Sequence, residues 1–149
     1  MLFRSSGFAA EKREEKKIAD AAAKLTSALA GATVPKINVI TGKAVGSAYA
    51  VMNAKGQGAD LSIALTGSVI GIMDSAMAAK IISSGGSRKE IAETAERFEA
   101  LQNSVESAAA RGYVDQITEA SELRRYLIGA VEMLYTKREE LPARKHSAK

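Results

Sequence analysis

Between Ala44 and Ser87 the only charged residues are Lys55, Asp60, Asp74 and Lys80. A stretch this long and this poor in charge is expected to form the core of whatever the chain folds into. Just before it, Lys36-Ile37-Asn38-Val39-Ile40 follows Pro35 and reads as a short β-strand. Within it, Leu61 to Leu65 and Val69 to Met73 are β-rich runs separated by Thr66-Gly67-Ser68. Helical patterns alternate with these strands. Ile18, Ala22, Leu25 and Leu29 recur at spacings of four, three and four, as one face of an amphipathic helix requires. After Ser83-Ser84-Gly85-Gly86-Ser87, the residues Ile91, Ala95, Phe98, Leu101, Val105 and Ala108 form one helical stripe that Gly112 closes. A last helix is expected from Ser121 as N-cap to Thr136, with Leu123, Leu127, Ala130 and Leu134 on its apolar face. Strands alternating with helices predict an α/β layered domain without internal repeats.

Ile37 to Ile40 leads through a turn at Gly42 and Gly46 into Ser47-Ala48-Tyr49, which opens a helix to about Asn53. Helix N-termini present N–H groups without intrahelical partners, and glycine lets a ligand approach the backbone, so negative charge can be stabilised there. From spacing alone, a glycine needed for close helix-on-strand packing is the first reading and backbone-amide chemistry the second. Other motifs fall away. Gly42-Lys43 is not a phosphate loop, because Ile37 stands where the first glycine belongs and Ala44 where Ser or Thr is needed. Gly56-Gln57-Gly58 leads into a strand and lacks a third glycine, so it reads as a helix-to-strand turn. Asp60 and Asp74 are the two acids in the apolar block; turn and cap roles come before that of a general base, and Asp74 stands at the cap of a helix from Ser75 to Ile82.

Composition excludes several classes of chemistry. There is no cysteine, which removes disulfides, thiolate nucleophiles and sulfur-ligated metals, and the only histidine, His146, sits in a polar basic tail. No metal site is expected. The net charge of +4 gathers at the end of the chain, where Lys137, Arg138, Arg144, Lys145 and Lys149 outnumber Glu139 and Glu140. Aromatics make up only 5% of the chain, with no stacking platform, so no nucleic-acid partner is expected. No apolar run has the length to cross a bilayer, and no secretory leader is recognisable; the expected location is the cytoplasm, without membrane insertion.

The segments Thr33-Val34-Pro35-Lys36-Ile37-Asn38-Val39-Ile40, Gly42-Lys43-Ala44-Val45-Gly46-Ser47-Ala48-Tyr49, Met52-Asn53 and Gly58-Ala59-Asp60-Leu61 resemble, in order and spacing, the carboxyltransferase subunits of biotin-dependent enzymes. Ala109-Ala110-Arg111-Gly112-Tyr113-Val114-Asp115, Leu123-Arg124-Arg125 and Lys137-Arg138 through Pro142, Lys145 and His146 resemble that family's C-terminus. The resemblance implies a crotonase-like layered α/β domain, the biotin-binding half of an acyl-CoA carboxylase or decarboxylase subunit. It implies biotin as cofactor on a separate carrier protein, other carboxyltransferase subunits as partners, and an acyl-CoA held by an N-terminal half. The family's usual Gly-Gly-Ala-Tyr is Gly46-Ser47-Ala48-Tyr49 here, and the resemblance assigns the Gly46 and Ser47 backbone amides an oxyanion hole for the ureido oxygen. Each such donor is worth about 3–4 kcal/mol in a transition state. Val45, Ala48, Tyr49 and Leu65 are the implied biotin-contact residues, with Leu65-Thr66 in place of the family's frequent Trp-Pro.

The family has a strand before the first helix, where this chain has Leu2-Phe3-Arg4-Ser5 ahead of Gly7-Phe8. Those four residues also match the translation of a common sequencing adapter. Residues 1–5 are therefore expected to be a non-native artefact, 6–136 a domain incomplete at its N-terminus, and 137–149 a basic tail. A lost strand would leave a sheet edge and an apolar helix face exposed, and the isolated piece is expected to be loosely packed and inactive. The alternatives are a lone crotonase-like acyl-CoA hydratase or isomerase, and a non-catalytic scaffold subunit.

Overall fold

A parallel sheet is built around one long strand that has a neighbour along each edge. A computed structural model of the chain describes residues 2–5, 7–8 and 15–140. In chain order its elements are β1 (Leu2–Ser5), α1 (Glu15–Ala30), β2 (Ile37–Val45), α2 (Gly46–Val51), β3 (Leu61–Leu65), β4 (Val69–Gly71), α3 (Ser75–Ile82), α4 (Arg88–Phe98), α5 (Val105–Ala110), β5 (Gln116–Thr118) and α6 (Leu123–Leu134). The sheet order is β1-β2-β3-β5, with β4 also on β2, and every pairing is parallel. An α/β architecture is the observed one.

Two expectations about the first strands are corrected. A strand does precede α1: Leu2 pairs with Val39, Phe3 with Ile40 and Ser5 with Ala44. The edge of β2 that the sequence reading left open is therefore covered. Nor is Gly42 part of the turn, because β2 runs through it to Val45. The reason is pairing: β3 takes Ile37 to Ile40 and β4 takes Lys43 to Val45, so two short strands follow each other along one edge of β2 and keep it extended. The reversal waits until Gly46, whose φ of +74° only glycine adopts without strain.

Neighbouring residues of a strand point to opposite faces, and both faces of this sheet are covered. Ile40, Ala44 and Ala64 meet Tyr49, Ile70 and Val105 in the core on one side. Val39 and Ile63 occupy the alternate positions and are equally buried. The apolar block read from the sequence supplies most of these residues.

Helix ends follow local chemistry where that chemistry is unopposed. Asp74 caps α3 through a hydrogen bond accepted from the Ala76 N–H at 3.1 Å, and Ser87 with Glu90 forms a capping box on α4. Long-range contacts override it elsewhere. The single helix expected from Ile91 to Gly112 is broken: Glu99–Asn103 winds as a π-helical turn and Ser104 is extended, at ψ 148°. Asn103 donates from Nδ2 to the Met73 carbonyl at 2.8 Å, Ser104 bridges to Val69, and Ser104 then caps α5. Leu101, expected in the stripe, is consequently exposed. β5 was not anticipated from the sequence; it exists because Gln116 to Thr118 complete the ladder beside Ile63 to Leu65. α6 starts one residue later than expected, with Glu122 rather than Ser121 at the cap position and no side-chain cap bond.

Candidate functional site

Val45 ends β2 and stands at the cap position of α2, where its apolar side chain can accept nothing from the first-turn N–H groups. Gly46 then turns the chain so that the start of α2 faces a cavity of about 750 Å³, within the range of ordinary ligand pockets. Gly46, Ser47 and Tyr49 lie on its wall, with Ile70, Asn103 and Arg111 among the residues contributed by later elements. The Gly56-Gln57-Gly58 segment is a short 3₁₀ turn feeding β3, as expected, and Gly56 and Gln57 also reach the wall.

The six residues singled out from the sequence are thus divided. Gly46, Ser47 and Tyr49 share the cavity wall. Val45 and Ala48 are buried behind it, at 1% and 2% exposure, and support rather than line it. Leu65 ends β3 opposite Thr118 and is not among the residues lining this cavity. Burial, with Tyr113 close by, pushes the Tyr49 phenol up from its ordinary value, so it stays protonated and cannot serve as a base near neutral pH.

Neither acid of the apolar block reaches the cavity. Asp60 accepts from the Lys36 backbone N–H at 2.7 Å and pairs with Lys137 at 2.8 Å, tying the end of α6 to the start of β3. Partial burial works to raise the Asp60 carboxyl, but the hydrogen bonds from Lys137 and the Lys36 N–H together outweigh it and hold it below the usual carboxylate range. The hydrogen bonds to Asp60 and Glu139 raise Lys137 in turn. Asp74 is a helix cap with an exposed partner, Lys43 at 3.3 Å. Among the described residues no group of three His, Cys, Asp or Glu is placed to hold a metal ion, and no helix is long and apolar enough to cross a membrane. His146, Arg144, Lys145, Lys149 and Pro142 lie outside the described residues.

Asn103, Arg111 and Tyr113 were not read as site residues from the sequence. No spacing signal links them to Gly46; the β2–β4 pairing and the π-helical turn bring them to it. Gly71 matters at the same place. A Cβ there would fall 2.7 Å from Asn103 Cγ and closer still to its Oδ1, so the close approach of β4 to Asn103 requires glycine.

The profile of the carboxyl transferase domain matches residues 1–148. The chain belongs to this family. It is 43% identical over 138 residues to the propionyl-CoA carboxylase beta chain of Saccharopolyspora erythraea, covering 83% of this chain and 24% of that one. It is 40% identical over 134 residues to the methylmalonyl-CoA carboxyltransferase 12S subunit of Propionibacterium freudenreichii subsp. shermanii, with 83% and 25% covered. A transcarboxylase 12S crystal structure, described as a hexamer with methylmalonyl-coenzyme A and methylmalonic acid bound, superposes at a TM-score of 0.92 and 35% identity over 98% of this chain and 29% of that one. The chain therefore spans about a quarter of the length of the curated relatives it matches.

Proposed function

We propose that this chain supplies the biotin side of an acyl-CoA carboxyltransferase, in a crotonase-like half whose acyl-CoA is held by a second half. The observation that carries the reading is the turn that puts Gly46, Ser47 and Tyr49 on a cavity wall in a chain of the carboxyl transferase family. The residues present fit a bicyclic ureido ring: the cavity is large enough, much of its wall is apolar, and Gly46 carries no side chain to block approach to its N–H. Biotin, delivered by a carrier protein, supplies the ring nitrogen that carries the carboxyl group between substrates.

The chain's own residues act by position. The Gly46 and Ser47 N–H groups stabilise negative charge on a carbonyl oxygen placed at the start of α2, at about 3–4 kcal/mol per donor. Serine in place of the family's second glycine keeps that amide. Gly71 and Asn103 hold β4 against the π-helical turn, which keeps the opposite wall in place. Tyr49, held protonated by its burial, offers no base at neutral pH, and much of the lining is apolar. Acyl-group choice and the direction of transfer are set by the second half and the partners coupled to it, and the chain alone transfers no carboxyl.

The test combines this chain with an acyl-CoA-binding half and a carboxylated biotin carrier, and follows labelled carboxyl into a propionyl- or acetyl-type thioester. Ser47→Gly should retain transfer, whereas Ser47→Pro, which deletes one amide donor, should lower it about 100- to 1,000-fold with the fold intact by circular dichroism. Transfer indifferent to Ser47→Pro would exclude the amide role. Hydration of an enoyl thioester without biotin would instead make the chain a hydratase, and a Gly46→Val variant that alters assembly but never turnover would make it a scaffold.

A further inference from the structure

Arg111 is the only charged residue on the cavity wall among the described residues. It ends α5, and its Nη2 donates to the Gln102 carbonyl at 2.8 Å, the Leu101 carbonyl at 3.3 Å and the Ser107 hydroxyl. Those partners are all neutral. Arg111 joins no ion pair among the described residues. Its charge is therefore not neutralised locally, while Nη1 and Nε carry N–H groups with no acceptor among the described residues. One nitrogen anchors the guanidinium to the π-helical turn, and the rest of the exposed fork is left over on the wall of a largely apolar cavity.

A planar guanidinium held in this way suits a carboxylate, which it can receive through two parallel, charge-assisted N–H donors. We propose that Arg111 is a carboxylate-binding residue of this cavity, contacting the carboxyl group in transit rather than the ring that carries it. The proposal rests on the carboxyltransferase reading above. Two molecules present that chemistry, the carboxylated ring on the carrier and the malonyl-type thioester, and Arg111 meets the carboxylate of one of them. The amides of Gly46 and Ser47 and the cation of Arg111 would then divide the work: one set receives a carbonyl oxygen, the other fixes the departing or arriving carboxylate.

The experiment uses the complete enzyme, this chain with its acyl-CoA half and carrier, as wild type, Arg111→Lys and Arg111→Gln. Malonate is titrated as a carboxylate probe and free biotin as the uncharged control, and KM is measured for the carboxylated carrier and for a malonyl-type thioester. Arg111→Gln should weaken malonate binding by about 10- to 100-fold and leave free biotin unchanged, with Arg111→Lys intermediate. A rise in KM confined to the carboxylated carrier assigns the contact to the ring's carboxyl; one confined to the thioester assigns it to the acyl substrate. Equal loss of malonate and biotin binding would mean that Arg111 only holds the π-helical turn, and unchanged malonate binding would remove it from the site; either overturns the proposal. If wild type binds malonate through Arg111 but transfers no carboxyl, the carboxylate site stands and the carboxyltransferase reading falls.

Discussion

Replacing Gly71 by alanine should destabilise the protein out of proportion to one methyl group. The backbone is not the reason, since Gly71 is not among the glycines with positive φ. The new Cβ would instead sit 2.7 Å from Asn103 Cγ, and Asn103 is only 1% exposed, with Nδ2 bound to the Met73 carbonyl at 2.8 Å. Overpacking of this kind costs about 1–3 kcal/mol. Moving Asn103 aside also forfeits its hydrogen bond, adding roughly 1 kcal/mol, for a total of about 2–4 kcal/mol. The assay is urea unfolding of the purified protein, followed by circular dichroism, for wild type, Gly71→Ala, Asn103→Ala and the double variant. Removing the Asn103 side chain removes the clash, so Gly71→Ala should cost less than about 0.5 kcal/mol on the Asn103→Ala background. Gly56→Ala, where an added Cβ meets nothing within 4 Å, is the control and should be close to neutral. Additive costs, or a neutral Gly71→Ala, would refute the packing argument and with it the reason for a glycine at this wall of the cavity.

Gly46→Ala makes only an ordinary contact, with Ile72 O at 3.9 Å, but forces φ of +74° on an L-residue; a loss of about 1–2 kcal/mol is expected in the same unfolding assay. Ser87→Ala removes the α4 cap and should cost about 1 kcal/mol, read as a lower urea midpoint. Asp60→Asn should lower the urea midpoint near neutral pH, by leaving Lys137 with Glu139 alone and weakening the bond to the Lys36 N–H. Because Asp60 is held below its ordinary value, its contribution is complete above the usual carboxylate pKa of about 3.9 and fades as pH falls through its own lower value. Lys137 is raised, so its part is complete below about 10.4 and is lost as pH rises through its higher value. The stability difference between wild type and Asp60→Asn, measured from pH 2 to 11, should therefore be flat in the middle and shrink at both ends.

What was legible in the sequence was whatever local chemistry decides. The four-three-four spacing in α1, the Asp74 cap and the apolar runs of β3 and β4 survive because nothing distant opposes them. Gly42 was misread as a turn because its extended state comes from neighbours on both edges of β2, one of them β1, and pairing of that kind leaves no mark at Gly42 itself. The break at Ser104 has the same origin: the stripe from Ile91 to Ala108 is a good helical pattern, and the Asn103 bond to Met73 and the Ser104 bridge to Val69 override it. β5 is three residues long and exists only as a partner of β3. The glycine turn at Gly46 was legible; Asn103 and Arg111, on the same cavity wall, reach it only through the fold.

The central claim is that the backbone at Gly46 and Ser47, and not a side-chain acid or base, serves carboxyl transfer. Its most direct measurement is the rate of labelled carboxyl transfer from a carboxylated biotin carrier to acyl-CoA by the complete enzyme, comparing Ser47→Gly with Ser47→Pro. Near wild-type transfer is expected for Ser47→Gly, and a loss of about 100- to 1,000-fold for a folded Ser47→Pro. Equal transfer by the two variants would contradict the claim.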